Sequence, residues 1–320
     1  MTKTVDIVVP CYNEEEMLKM FFEETTKVIN TIPNYSFKYI FIDDGSRDKT
    51  YEILKELGST YDNVSYISFS RNFGKEAGMY AGLSYTTADY VIVMDADLQH
   101  PPALIPEMIK NIEEGYDCCA AMRTTREGES PIRSFFSRTF YKLSNKITDV
   151  DLVQGAVDYR IMSRAMVDAV MSMSEKQRFS KGIFAWVGFK TKWIPYENVE
   201  RALGTTKWSF KSLFRYAVTG ITTFSIAPIR FVTGMGFFIS LIGFLYIVFT
   251  IVKTLIFGID VAGYVTTLSA VIFLGGITLI SIGILGEYIA NIYIEVKNRP
   301  LFILKDTNIS LTDNHRKKEQ

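Results

Sequence analysis

YVIVMDADLQHPP, residues Tyr90 to Pro102, is the stretch around which the chain is organised. Tyr90 to Met94 is a short apolar, β-branched run, the signature of a buried strand. It stops at Asp95-Ala96-Asp97, and Pro101-Pro102 closes the segment, because proline removes a ladder donor and fixes φ. Two carboxylates at i and i+2 on the C-terminal edge of a strand can converge on one hard cation. Mg2+ and Mn2+ favour carboxylate oxygens and keep substrate phosphates among their ligands. Open α/β sheets bind ligands outside the carboxyl ends of their strands. The stretch therefore predicts a metal–diphosphate site, against the blander reading of two acids in a solvated turn.

Upstream, strands and helices alternate. Val5 to Pro10 reads as a strand, and Glu14 to Asn30 as a helix with acids crowding its first turn, as the helix dipole favours. Phe37 to Ile42 is a second strand, ending in Asp43-Asp44-Gly45-Ser46, and Thr50 to Leu57 a helix. Val64 to Phe69 is a third strand, followed by Ser70-Arg71-Asn72-Phe73-Gly74-Lys75. Lys75 to Ser84 is a helix packed through Ala77, Gly78, Ala81 and Gly82. This order predicts an α/β fold with a mostly parallel sheet covered on both faces. Turns favour Asp in any protein. Here, however, polar clusters follow three of four strands: Tyr12-Asn13-Glu14, Asp43-Asp44 and Asp95-Asp97.

Composition bounds the remainder. The 320 residues carry zero formal net charge and are 48% hydrophobic. The neutral balance argues against nucleic-acid binding, which shows a basic excess. Cys11, Cys118 and Cys119 form neither a disulfide framework nor a zinc spacing, which suits a reducing compartment. The N-terminus enters a strand at once, so no signal peptide is expected. Apolar sequence is concentrated late. Phe231 to Val252 and Tyr264 to Leu285 are uncharged runs of about 22 residues, roughly 33 Å as helix against a ~30 Å hydrocarbon core. They predict a transmembrane hairpin. Lys207, Lys211, Arg215 and Arg230 precede it and Lys297 and Arg299 follow, whereas the connecting loop has only Lys253 and Asp260. The positive-inside rule places both termini in the cytoplasm. Lys207 to Val218 suits an amphipathic interfacial helix. Glu287 to Arg299 reads as a helix leaving the membrane, ended by Pro300, and Asp306 to Gln320 as a disordered tail. The predicted organisation is a soluble domain at 1–206, an interfacial region at 207–228, two spans at 229–290 and a cytoplasmic tail at 291–320.

VPCYNEEE, FIDDGSRDKT, SRNFGKEAGMYAGL and VIVMDADLQHPP, in this order, resemble a family 2 glycosyltransferase of the GT-A fold. With the two spans and GEYIANIYIEVKNRP, Gly286 to Pro300, the whole chain resembles bacterial polyisoprenyl-phosphate glycosyltransferases. Bactoprenol glucosyltransferases are the nearer group and dolichyl-phosphate mannose synthases the more distant. The resemblance implies a GT-A, Rossmann-like catalytic domain with a C-terminal hairpin in the bacterial inner membrane, its catalytic domain cytoplasmic. It assigns Pro10, Tyr12, Glu14, Asp43, Asp44, Arg71, Lys75 and Asp95 to the nucleotide. It assigns Asp95, Asp97 and Gln99 to Mg2+ or Mn2+. Asp158, in QGAVDYRIMSR, matches the segment with the catalytic aspartate, although Val157 stands where many relatives have Gly. Asp97 and Arg178 join it as catalytic candidates. Arg178, Arg201 and Lys207 match motifs that receive the lipid phosphate, and headgroup anchoring competes for the last two.

What the resemblance implies is inverting transfer of one sugar, with UDP-glucose as the favoured donor, to undecaprenyl phosphate for cell-envelope glycosylation. The processive QxxRW motif is missing, since Arg178 directly follows Gln177. A GDP-mannose-dependent synthase is the alternative within enzymes. A non-catalytic membrane protein that binds nucleotide-sugar or anchors a flippase is the alternative outside them. A flippase partner and a homo-oligomer are further expectations, the second helped by Gly234, Gly236, Gly243, Gly275, Gly276 and Gly283, which permit close helix packing.

Overall fold

The computed structural model describes residues 2–124, 145–148, 150–197, 222–257 and 263–310. Its centre is an eight-stranded sheet in the order β7-β5-β6-β4-β1-β2-β3-β8. The strands are β1 (Lys3–Cys11), β2 (Tyr35–Asp43), β3 (Val64–Phe69), β4 (Tyr90–Val93), β5 (Cys118–Arg123), β6 (Ala156–Ser163), β7 (Thr191–Tyr196) and β8 (Leu304–Thr307). Strands β1 to β4 form the parallel half. In the other half β6 runs antiparallel to both β4 and β5, while β5 and β7 are parallel.

The two faces follow from the two-residue period of a strand. Ile7 and Val9 of β1, with Tyr39 and Phe41 of β2, enter one core cluster. Helices α1 (Leu18–Ile29), α2 (Thr50–Thr60) and α4 (Ile105–Glu113) contribute to that cluster. Val8, Ile40 and Ile42 enter the other, with residues of α3 (Lys75–Tyr85), α5 (Arg164–Ser172) and α6 (Ser180–Trp186). Strands covered on both faces are apolar throughout rather than alternating, which is why the first three strands are legible as continuous runs. Helix α3 lies close to the sheet. A Cβ on Gly82 would sit 2.2 Å from Val8 Cγ1 and 2.8 Å from Ile42 Cδ1.

Two helices stand apart from this core: α7 (Ala227–Phe257) and α8 (Tyr264–Lys297). Both are long and apolar enough to cross a membrane, and they carry their large side chains outward. Each is longer than the uncharged run that announces it, because the helix continues past the apolar segment into polar flanks.

Two expectations are overturned by the structure. Helix α1 begins at Leu18, and its first turn holds no acid. Residues Glu14 to Met17 form a turn instead, in which the Glu14 carbonyl accepts from Met17 N and Leu18 N. Asp306 and Thr307, expected at the start of a disordered tail, lie in a strand instead. Leu304–Thr307 adds β8 antiparallel to β3, so the α/β domain is completed by residues from beyond the hairpin. Among the described strands four of the seven pairings are parallel, as the expected mostly parallel sheet has them, and three are antiparallel. The interfacial helix expected over Lys207 to Val218 lies outside the described residues.

Candidate active site

The strand order reverses between β1 and β4, whose neighbours β2 and β6 continue outward in opposite directions. Loops leaving the carboxyl ends of such strands part and open a crevice. The residues expected at the nucleotide and the metal, together with Asp158, gather there. Pro10 is the penultimate residue of β1, and Tyr12 and Glu14 follow it. Asp43 ends β2 and Asp44 follows. Arg71 lies between β3 and α3, and Lys75 opens α3. Asp95, Asp97 and Gln99 lie between β4 and α4. Asp158 lies on β6, antiparallel to β4.

Lys75 is the hub. Its Nζ lies 2.7 Å from Asp95 Oδ1 and 2.6 Å from Asp158 Oδ2. Burial would raise both carboxyls, but the Lys75 ammonium, joined by His100 at Asp95 and by Lys181 at Asp158, outweighs it and holds each below the usual carboxylate range. Lys75 is itself raised: burial opposes the charge, and Asp158 and Asp95 more than offset that. The resemblance assigns Lys75 to the nucleotide, whereas here it joins the metal-side acid to the expected catalytic acid. His100 supports Asp95 from the far side, with Nε2 at 3.6 Å from Oδ2. The same ring is fixed by Tyr196 OH, 2.7 Å from Nδ1, and by stacking on Tyr159 at 5.8 Å. Neither His100 nor Tyr196 is foreseen from sequence. His100 lies within the deciding stretch, yet its partner is on β7.

The loop after β4 is shaped for its acids. Leu98 adopts φ +54°, in the left-handed region, where a non-glycine residue is uncommon. Asp97 accepts from Gln99 N at 3.1 Å through Oδ1. Among the described residues no group of three or more His, Cys, Asp or Glu converges as a closed metal cage. Two hard carboxylates on one turn fit a divalent ion of the Mg2+ or Mn2+ kind, which takes few protein ligands and completes its shell with phosphate oxygens. Gln99 offers an adjacent amide oxygen.

Asp43 and Asp44 are spent on the fold. Asp43 accepts from Ser46 N at 2.9 Å and Ser68 Oγ at 2.7 Å. Asp44 accepts from Phe73 N at 2.6 Å and Gly74 N at 2.9 Å. Burial pushes the Asp44 carboxyl up to about 6. These bonds tie the loop after β2 to the loop after β3. Gly45 lets them approach, since it has φ +66° and a Cβ there would lie 2.3 Å from the Arg71 carbonyl carbon. Arg71 itself lies over the Phe73 ring, 4.1 Å from its centroid.

Arg178 is buried elsewhere. It donates from Nη1 to Met173 O at 2.8 Å and lies over Tyr80 at 4.8 Å. Burial lowers its pKa, against Glu175 and Glu76. It lines a cavity of about 470 Å3 with Glu76, the neighbour of Lys75 in α3, so it flanks the carboxylate cluster rather than joining it. Arg201 and Lys207 lie outside the described residues. Arg123, not singled out from sequence, ends β5 with its Nε buried and, among the described residues, without a hydrogen-bond partner.

The model "Glycosyl transferase family 2" matches residues 6–170, and the model "GtrB C-terminal hairpin" matches residues 227–292. The chain is 48% identical over 309 residues to CsbB of Bacillus subtilis (strain 168), which bears a glycosyltransferase name; the match covers 97% of this chain and 93% of that protein. It is 40% identical over 304 residues to the bactoprenol glucosyl transferase of Shigella phage SfII, covering 95% and 98%. It is 40% identical over 301 residues to the prophage bactoprenol glucosyl transferase homolog of Escherichia coli (strain K12), covering 94% and 98%.

Proposed function

Since the chain belongs to glycosyltransferase family 2 and is a glycosyltransferase, we propose that it transfers a single glucose from UDP-glucose to a membrane polyisoprenyl phosphate, inverting C1. One observation carries the acceptor: the likeness to relatives named bactoprenol glucosyl transferases runs through domain and hairpin alike. An acceptor whose tail stays in the bilayer requires an active site held beside it. The hairpin supplies that hold, with the catalytic domain on the cytoplasmic side of a bacterial inner membrane.

In this reading Asp95 and Asp97, with Gln99, hold the divalent ion. When bound, the ion stabilises the charge of the departing diphosphate. The chain's own residues do the rest. A phosphate monoester with its second pKa at about 6 is largely a dianion at neutral pH, so it attacks with little need of a base. Asp158, held ionised by Lys75 at 2.6 Å, is a weak base for the same reason. Its part is to orient the acceptor and to take any residual proton. Lys75 fixes the spacing of the donor-side and acceptor-side carboxylates. The loops carrying Pro10, Tyr12, Glu14, Asp43, Asp44 and Arg71 form the nucleotide wall. Arg178, Arg201 and Lys207 offset the repulsion between two phosphate groups brought close together.

The test is transfer to undecaprenyl phosphate in detergent with UDP-glucose, UDP-galactose, UDP-GlcNAc and GDP-mannose in parallel, products read by mass spectrometry. The expected product is the lipid phosphate plus one hexose from UDP-glucose alone. A mannosyl lipid from GDP-mannose, or a lengthening sugar chain, would replace this reading.

A further inference from the structure

The loop between β4 and α4, which carries Asp95 and Asp97, is pinned from the far half of the sheet. His100 in that loop is buried against two aromatic rings. Tyr159 of β6 stacks on it at 5.8 Å, and Tyr196 of β7 meets it edge-on at 5.7 Å. Tyr159 OH also donates to Pro101 O at 3.3 Å. Strand β7 lies three places from β4 in the sheet, so the 2.7 Å bond between Tyr196 OH and His100 Nδ1 joins elements with no backbone pairing of their own. Asp95 is approached from both faces. From the α3 face, Lys75 Nζ lies 2.7 Å from Oδ1 and 2.9 Å from Oδ2. From the face that holds Tyr159 and Tyr196, His100 Nε2 lies 3.6 Å from Oδ2. The neighbours fix the tautomer. A neutral imidazole donates from one nitrogen and accepts at the other. The carboxylate beside Nε2 favours the proton there, which leaves Nδ1 to accept from Tyr196 OH. Arg123 faces the same hydroxyl and can only donate, so the hydroxyl proton is left for His100. At 3.6 Å the Nε2–H makes an electrostatic contact, and closing by about 0.5 Å turns it into a hydrogen bond.

We propose that His100 and Tyr196 are positioning residues for the divalent cation: His100 holds the Asp95 carboxylate in its coordinating orientation by presenting Nε2–H to Oδ2, and Tyr196 fixes the tautomer and the ring angle this needs. The inference rests on the reading above, in which Asp95 and Asp97 hold the ion, and extends it to a pair outside that ligand set. Lys75 does not orient Asp95 alone. Its ammonium ends a flexible four-carbon stem and is shared with Asp158 at 2.6 Å. An imidazole clamped by two rings and a hydroxyl is rigid by comparison. Partners that hydrogen-bond a metal-binding side chain from outside are typically worth ~10–100-fold in metal affinity. The 3.6 Å separation puts His100 at the low end, at about tenfold.

The experiment measures Mn2+ binding to the purified full-length protein in detergent with saturating UDP, from the electron paramagnetic resonance signal of free Mn2+. Three variants divide the possibilities. His100→Phe keeps a ring between Tyr159 and Tyr196 but loses the donor. His100→Gln loses the ring but presents an amide N–H at about the reach of Nε2. Tyr196→Phe keeps both rings and loses only the hydroxyl, so it tests the same claim if a His100 variant fails to fold. Mn2+ affinity is expected to fall about tenfold in His100→Phe and by less in Tyr196→Phe. His100→Gln should recover most of the loss, and UDP affinity in EDTA should stay as in the wild type. A role in packing alone gives the reverse order, with His100→Phe near wild type and His100→Gln weak, and that order overturns the inference. Wild-type Mn2+ affinity in both Phe variants overturns it as well, and leaves the metal reading standing. No Mn2+ bound by the wild type itself overturns that reading and the inference together.

Discussion

Lys75 bridges residues far apart in the chain, since Asp158 follows it by 83 positions. No local pattern in SRNFGKEAG reveals such a bridge, whereas Asp95 and Asp97 are legible because a strand end announces them within five residues of sequence. Replacing Lys75 by Met leaves two neighbouring carboxylates without their cation. Loss of one partner of a fully buried pair costs ~3–5 kcal/mol. About a third of the Lys75 side chain meets solvent, so the expected loss is smaller, about 1–3 kcal/mol by denaturant unfolding. Asp158→Asn should lower kcat by ~10–100-fold, at or below the lower end of general-base effects, with UDP-glucose affinity near normal. Loss of donor affinity instead would place Asp158 on the nucleotide. Asp44 gives a pH signature. Its folded pKa is raised from 3.8 to about 6 by burial, so between those values the folded state holds more protons than the unfolded. Stability from this group is full below about pH 3.8 and declines as pH rises through 6. Asp44→Asn should remove that decline, seen as the difference between two unfolding free-energy profiles.

Strands β1 to β3 and helices α2 and α3 are legible because both faces of a central strand are buried and each turn is polar. Helix α1 starts late for a tertiary reason. Asn13 N donates to Ser46 Oγ at 3.0 Å and Glu14 N to Thr50 Oγ1 at 2.8 Å, so the acidic segment is held by the loop after β2 instead of opening the helix. Strand β8 is illegible because LKDT shows no apolar alternation. Its placement comes from partners: Asp306 Oδ2 accepts from Tyr51 OH at 2.5 Å and Tyr66 OH at 3.0 Å, and Asn308 Oδ1 accepts from Tyr66 N at 2.8 Å. Phe302 stacks on Phe69 at 4.8 Å. Small residues in α3 have the opposite character, being readable from sequence. Gly82→Ala improves helix propensity by up to ~1 kcal/mol. Yet its Cβ would overlap Val8, and overpacking costs ~1–3 kcal/mol. A lower Tm is expected in thermal unfolding, and an unchanged or higher one would mean that α3 sits further from β1.

At the scale of the molecule, the chain leaves its α/β domain, forms the hairpin, and returns to pair β8 with β3. The bonds of Glu295 to the loop at Lys176 and Gln177 make a second tie. The α/β domain and the hairpin are thus joined at two places, a tie that suits an acceptor whose tail stays in the bilayer. Ending the chain after Leu301 removes β8 and its clasp. Transfer to undecaprenyl phosphate in vesicles should fall at least about tenfold, a loss of ~1.4 kcal/mol or more in transition-state stabilisation, while UDP binding by the purified protein persists. Equal transfer by the shortened chain would show that the hairpin is oriented without the returning strand. In the proposed function the carboxylates after β4 form a cation-dependent glucosyl transfer site. Its most direct measurement is the rate of glucose transfer from UDP-glucose to undecaprenyl phosphate, for wild type and Asp97→Ala, as Mg2+ or Mn2+ is titrated from an EDTA-treated baseline. Saturable activation of the wild type and no activation of Asp97→Ala are expected. Full transfer in EDTA, or full activity of Asp97→Ala, would contradict it.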